Sequence, residues 1–244
     1  MTDLAQEIHE KYLQVQEQIA AAALSCGRSP ADVKLVVVSK AQPLNVIEAA
    51  LEAEIRVFGE NYPEEACEKI NRFQAIEGIE WHMIGHLQSR KARLVAELFT
   101  CLHSLDSLHL AEKLNTILLA NQKSMPVLIE MNMSGEDSKF GWPAWDEDQW
   151  MRIVPVFEEL IMYPQLRISG LMTMPPFSED PEQARPYFAK LRRLRDFLES
   201  KIPTANLPEL SMGTSADFPA AVKEGATLVR VGQAILGSRP ARKV

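Results

Sequence analysis

The chain lacks paired cysteines, a long apolar run and a surplus of positive charge. Cys26, Cys67 and Cys101 are its three cysteines and stand singly, without a CxxC pair. Neither a disulfide framework nor a zinc site is encoded by that spacing, and a reducing compartment is expected. No apolar stretch approaches the roughly 18 residues that a spanning helix needs. The N-terminus, MTDLAQEIHEKYLQVQ, is charged and amphipathic rather than a signal peptide, so a cytoplasmic protein without a membrane partner is expected. The formal net charge is -7, which argues against DNA or an anionic membrane as the main partner but leaves room for a local basic pocket. No linker or low-complexity tract divides the sequence. At 244 residues it has the length of an α/β barrel folded as one unit, and we read a single domain over residues 1–244.

What is present is an alternation. Short apolar or β-rich runs lie at KLVVVS (34–39), IRVFG (55–59), EWHMIG (80–85), CLHSL (101–105), PVLIEMN (126–132), LRISGLM (166–172), ELSMG (209–213) and TLVRVG (227–232). The longer segments between them, NVIEAALEAE and PEQARPYFAKLRRLRDFLESK among them, place apolar residues near the i, i+3, i+4 spacing of amphipathic helices. Eight such steps predict parallel strands joined by right-handed crossovers. The fold class is therefore α/β, a single (β/α)8 TIM-type barrel. An open doubly wound sheet would more often carry a Gly-rich dinucleotide turn after its first strand, whereas SKAQPLN there has no glycine. Residues 3–25 read as an extra N-terminal helix covering the barrel's outside or one end, stopped by GRSP at 27–30.

Barrel sites gather at the C-terminal ends of the strands. VKLVVVSK (33–40) is apolar on both faces, as a covered parallel strand requires, and ends in Lys40. GENY (59–62) ends the second strand, and the third brings His82 and His86. The seventh runs into SMGTSAD (211–217) just before a helical segment, where free N–H groups attract an anion. The eighth passes through Arg230 into Gly232 and Gln233, with another glycine turn at Gly237. Turns of this kind after strands seven and eight form the phosphate site common in barrels. A lysine facing a phosphate cradle points to a phosphorylated aldehyde held as a Schiff base, pyridoxal 5'-phosphate (PLP) foremost. Val36 and Val38 on Lys40's own face, with the charge of Arg230, would keep part of its amine neutral.

VSKAQP, FGENY, WHMIGHLQSRK, HSLD, a strand ending in Asn132 with SKFG just after, GLMTMPP, SMGTSADF and VRVGQAILGSR follow one another across essentially the whole chain. In order and spacing this set resembles the pyridoxal phosphate homeostasis proteins, whose fold-type III PLP barrel is similar to the N-terminal barrel of alanine racemase. The resemblance implies that Lys40 holds PLP covalently. It also implies that Ser211, Gly213, Ser215, Gly232 and Gln233 surround the phosphate, that Asn61 and His82 lie close to the ring, and that Arg230 faces the pyridine nitrogen. An arginine there leaves that nitrogen unprotonated and weakens carbanion stabilisation. Racemases with this arginine add a tyrosine base from another domain and subunit, a domain with no counterpart in a chain ending at Val244. The resemblance thus implies a non-catalytic, intracellular buffer of PLP with PLP-requiring apoenzymes as recipients, and a single acidic barrel is expected as a monomer. The alternative is a PLP-dependent amino-acid racemase or lyase. Three positions depart from the family pattern: Pro63, His86 and Thr214.

Plainer readings stand beside these. His82 and His86 share a strand face with Ile84, but without a third ligand in the sequence they read as hydrogen-bonded packing groups and no metal site is expected. Glu60 and Asp106 read as caps of the following helices in preference to an acid–base pair. The basic runs RKARLV (90–95) and LRRLRDF (191–197) read as solvated helix faces. Trp142, Trp145 and Trp150 form either a docking surface or a loop folded on its own aromatic side chains.

Overall fold

Along Lys34–Val38 the side chains alternate between two destinations. Leu35 and Val37 join the large core shared with the surrounding helices, whereas Val36 belongs to a separate small cluster with Cys101, Leu128, Met172 and Leu228. A strand buried on both faces in this way is the wall of a barrel. The computed structural model describes residues 1–178 and 180–239; the expected domain end and chain terminus at residues 240–244 lie outside the described residues.

The strands are β1 (Lys34–Val38), β2 (Val57–Glu60), β3 (Glu80–Met83), β4 (Cys101–Leu105), β5 (Met125–Asn132), β6 (Trp142–Pro143), β7 (Leu166–Met172), β8 (Glu209–Thr214) and β9 (Leu228–Val231). Their order is β4-β3-β2-β1-β9-β8-β7-β5-β6, with β4 also pairing β5. That last pairing closes eight parallel strands into a barrel and leaves the two-residue β6 attached to the end of β5. The expected TIM-type α/β barrel is the observed fold.

Helices α1 (Asp3–Ser25), α2 (Leu44–Glu52), α3 (Pro63–Phe73), α4 (Ala92–Leu98), α5 (Leu108–Ala120), α6 (Val154–Ile161), α7 (Arg185–Lys201), α8 (Phe218–Lys223) and α9 (Gln233–Leu236) surround it. The seam of α7 illustrates the cause: Phe188, Leu191, Leu194 and Leu198 recur at helical spacing and are wholly buried. Each such side chain is worth about 1.5–3 kcal/mol of transfer free energy. The additional helix α1 packs outside the barrel against α2, α8 and α9. Its end matches the GRSP reading, with Gly27 at φ 76° just beyond Cys26.

The largest departures from the expected strand limits are of two residues, at the start of the second strand and at the end of the third. Ile55 donates to Ala50 O and Glu54 takes φ 64°, so both close α2 and the sheet starts at Val57. The third strand stops at Met83 and the chain then turns through Ile84 and Gly85 into the site. The strand β6 is not foreseeable from the sequence, because a two-residue pairing has no periodicity to read.

Candidate functional site at the C-terminal rim

A cavity of about 870 Å³ opens at the C-terminal ends of the strands. Val38 and Lys40 reach it from β1, Asn61 from just after β2, Glu130 from β5 and Arg230 from β9. Of the nine residues expected there, Lys40, Asn61, Ser215, Arg230, Gly232 and Gln233 line the cavity together. The other three, His82, Ser211 and Gly213, are buried behind its wall and do not line it.

Lys40 is half-buried at the end of β1, and among the described residues its amine has no hydrogen-bond or ion-pair partner. Burial lowers its pKa from the usual lysine value; the neighbouring Arg239 and Arg230 act in the same direction, and Glu60 and Glu65 oppose. The turn that aims Lys40 is held from behind. Ala41 has φ 58°, a left-handed conformation that costs a non-glycine residue about 1 kcal/mol or more. Its N–H donates to Glu65 Oε1. The buried Lys69 ammonium donates to Ser39 O (2.8 Å), Glu60 Oε1 (2.8 Å) and Glu65 Oε1 (2.9 Å), while Ser39 Oγ donates to Glu60 Oε1 at 2.7 Å. Neither Lys69 nor Glu65 stands out in the sequence. Glu60 is accordingly no helix cap: it is fully buried, and burial raises its pKa against the pull of Lys69.

The opposite wall is built by Thr214, Ser215, Ala216, Gly232 and Gln233. Thr214 donates both its N–H (2.6 Å) and its hydroxyl (3.1 Å) to Asp217 Oδ1, and Gly232 N–H donates to Ser215 Oγ at 3.3 Å. Gly213 shapes this turn without touching the cavity. Its φ is 91°, and a Cβ there would stand 2.6 Å from Ala221 Cβ and 2.9 Å from Phe218 Cα, so glycine alone lets α8 come this close. At Gly232 a Cβ would meet Val38 O at 2.9 Å.

Lys40, Lys91, Lys139, Arg230 and Arg239 bring five cations to the lining, against Glu130 as the carboxylate among the described lining residues. An acidic chain has thus concentrated positive charge at one opening. Lys91, expected on a solvated helix face, pairs with Glu64 at 2.6 Å and also reaches the lining. In the other basic run Arg192 pairs with Glu224, Arg193 with Glu147 and Arg195 with Asp196. Glu130 is buried with Oε2 unpaired, and burial, seconded by Asp106, pushes its pKa up to about 7.

Arg230 is buried beneath the cavity, where it donates to Ser211 Oγ, to Thr173 O at 3.0 Å and to Met174 Sδ at 2.9 Å. Burial brings its pKa down to about 10, so it remains a cation at neutral pH. Ser211 and His82 stand further along the same buried file, with His103 between them.

The three departures from the family pattern, Pro63, His86 and Thr214, all line the cavity. Pro63 occupies the first turn of α3, where its missing N–H costs nothing. His86 stacks on Phe140, with ring centres 3.7 Å apart, and bonds Asp106 at 2.9 Å. Asp106 is therefore a partner of His86 and not a cap; Ser107 caps α5 by accepting from Leu110 N–H. In the fifth loop Trp150 donates to Ala144 O at 3.0 Å and packs on Phe197 of α7, and Trp142 pairs in the sheet, whereas Trp145 is exposed.

A barrel with a solitary lysine at the end of its first strand and a cationic rim defines a class, and sequence comparison agrees with it. The family model described as "Alanine racemase, N-terminal domain" matches residues 15–240. The pyridoxal phosphate homeostasis protein of Escherichia coli strain K12 is 39% identical over 241 residues, covering 98% of each chain. The PipY protein of Synechococcus elongatus, solved with PLP bound, superposes with a TM-score of 0.78 at 34% identity, over 91% of this chain and 100% of that one. Alanine racemase of Clostridium difficile 630 shares the fold at 18% identity, with a TM-score of 0.64 over 94% of this chain and 58% of the racemase. The chain belongs to the alanine racemase N-terminal domain family and, within it, to the pyridoxal phosphate homeostasis proteins.

Proposed function

We propose that this protein binds PLP reversibly in the C-terminal cavity and serves PLP homeostasis in the cytoplasm as a monomeric carrier with little or no turnover, releasing PLP to apoenzymes that require it. The observation that carries this reading is Lys40, a half-buried amine without a partner among the described residues, set in a cavity lined by four other basic side chains. PLP supplies an aldehyde that condenses reversibly with a primary amine and a phosphate dianion that seeks donors. The residues fit both demands. Lys40 provides the amine, and burial enlarges its neutral, nucleophilic fraction. Ser215, Gly232 and Gln233 hold the phosphate at the turn next to α8, with Gly213 setting the shape of that turn. Asn61 lies beside the ring.

Arg230 faces the ring nitrogen and, as a cation, keeps a proton off it. An acceptor carboxylate at that place would favour carbanions; a donor guanidinium disfavours them. Ser211 and His82 act on Arg230 from behind.

The test is an absorbance titration with PLP, followed by borohydride reduction and peptide mapping, on the wild type and on Lys40→Ala. The expected result is a band near about 420 nm in the wild type, reduction products mapping to Lys40, and loss of both in the variant. Exchange of the α-proton of added amino acids should stay at the level of PLP alone. Binding that survives in Lys40→Ala with the cofactor fixed elsewhere, or α-proton exchange at enzymatic turnover rates, overturns the reading.

A further inference from the structure

Below the cavity floor a hydrogen-bonded file of side chains crosses the barrel interior. Arg230 donates to Ser211 Oγ; Ser211 Oγ lies 2.8 Å from His103 Nδ1; His103 Nε2 lies 2.9 Å from His82 Nδ1; and His82 Nε2 lies 3.1 Å from Glu80 Oε2. The same Glu80 oxygen accepts from Lys34 Nζ at 3.0 Å. Arg230, Ser211, His103 and His82 are buried, whereas the Lys34 and Glu80 side chains are 48% and 41% exposed at the N-terminal ends of β1 and β3. The file thus connects the cavity with the opposite rim.

Its two ends set its direction when each imidazole carries one proton, since the reverse order would need Ser211 to accept twice and a cationic His82 beside Glu80. A guanidinium can only donate and an ionised carboxylate can only accept. Ser211 receives Arg230's N–H on a lone pair and has one hydroxyl hydrogen, which it turns to His103 Nδ1. His103 accepts there, so its ring proton sits on Nε2 and points to His82 Nδ1. His82 accepts in turn and carries its proton on Nε2, toward Glu80. All four ring nitrogens are used.

We propose that His103 and His82 are positioning residues for Arg230: held as neutral Nε2–H tautomers between Glu80 and Ser211, they fix the direction of the Ser211 hydroxyl and, through it, the orientation of the guanidinium at the cavity floor. The surroundings agree. Burial first, and then the charges of Arg230 from β9 and Lys34 from β1, oppose a positive charge on His103. A different use of the cluster is metal binding, since ligand atoms of His82, Cys101 and His103 lie within 4.8 Å of one another. That use would have to take nitrogen lone pairs already engaged and a thiol whose pKa burial drives upward.

The experiment is nitrogen NMR of the full chain labelled with ¹⁵N-histidine, without added cofactor. The expected result at neutral pH is a pyrrole-type Nε2 and a pyridine-type Nδ1 for both His82 and His103, unchanged by zinc, with His103 keeping this form across roughly pH 6 to 8. A ring that is cationic, a proton on Nδ1 of either ring, or zinc-bound shifts on both rings overturns the proposal, and these signals are read from the wild type alone. Two variants test the link to Arg230. His103→Gln keeps an acceptor and a donor on two atoms bonded to one carbon, as in the imidazole, and should preserve slow rotation of the Arg230 guanidinium; His103→Phe should abolish it. Equal rotation in both variants also overturns it. One further arm rests on the proposed function: PLP affinity should drop about tenfold in His103→Phe, the loss of roughly one hydrogen bond to a charged group, and recover in His103→Gln. Should the wild type bind no PLP, the proposed function fails while the tautomer result still decides this inference.

Discussion

Glu130 on β5 has one carboxylate oxygen buried without a partner, and its pKa is raised from 4.5 to about 7 by burial first and by Asp106 second, against Arg230 and Lys139. The direction of its effect on stability follows from linkage. Between about pH 4.5 and 7 the native state retains a proton that the unfolded state has lost, so stability falls as pH rises through that window and the penalty is complete above it. At about 1.4 kcal/mol per pH unit the full difference is about 3 kcal/mol. Glu130→Gln cannot ionise. It should stabilise the protein by about 2–3 kcal/mol at pH 8 and change little at pH 4.5, measured by urea denaturation; an equal gain at both pH values would rule out ionisation as the cause. In the sequence LIEMN this glutamate reads as one more member of a strand, because period-2 alternation tells that a side chain points inward but not what it meets there. Lys40 was legible for the opposite reason: it ends an apolar run at the rim where barrels keep their sites. His82 and Ser211 were legible as inward polar residues, but their place behind Arg230 depends on contacts across β3, β4, β8 and β9 that no local pattern records.

At the scale of elements, α3 holds the end of β1 in place through one side chain. Lys69 is 5% exposed and ties Ser39 O, Glu60 and Glu65 together, so the left-handed Ala41 and the direction of Lys40 depend on it. Lys69→Met would leave the fully buried Glu60 with an unpaired charge. Removal of one partner from such a pair costs about 3–5 kcal/mol, and the denaturation midpoint of this variant should fall accordingly. Adding Glu60→Gln should recover part of the loss; a double variant as unstable as the sum of the two single ones would show that the ion pair is not the cause. The eight barrel strands were legible because each is a compact apolar run between helical periodicities, and α1 because it is amphipathic and ends at a glycine. The Lys69 brace was not. Its members lie 4 to 30 residues apart on two strand ends and a helix, and a lysine in EEACEKINRF looks like any solvated helical residue until α3 is packed against the barrel.

Charge distribution belongs to the molecule as a whole. A chain with net charge -7 gathers five cations around one cavity, and that concentration attracts an anionic ligand against the average field. If PLP occupies this cavity, native and unfolded states differ in their affinity for it, and occupancy becomes stability. For a single site, ligand at 100 times its dissociation constant adds about 2.7 kcal/mol. In a chain of this size that corresponds to a rise of roughly 5–10 °C in the unfolding midpoint. Differential scanning fluorimetry with increasing PLP should show this rise in the wild type. The increment should be smaller with inorganic phosphate, which offers charge to the cations but no aldehyde to Lys40. In Lys40→Ala the PLP response should shrink to that of phosphate. A wild-type midpoint no more responsive to PLP than to phosphate would mean that the cavity recognises an anion and that Lys40 adds nothing to its retention. A full response in Lys40→Ala would locate the binding energy in the cationic wall and take the lysine out of the function proposed for it.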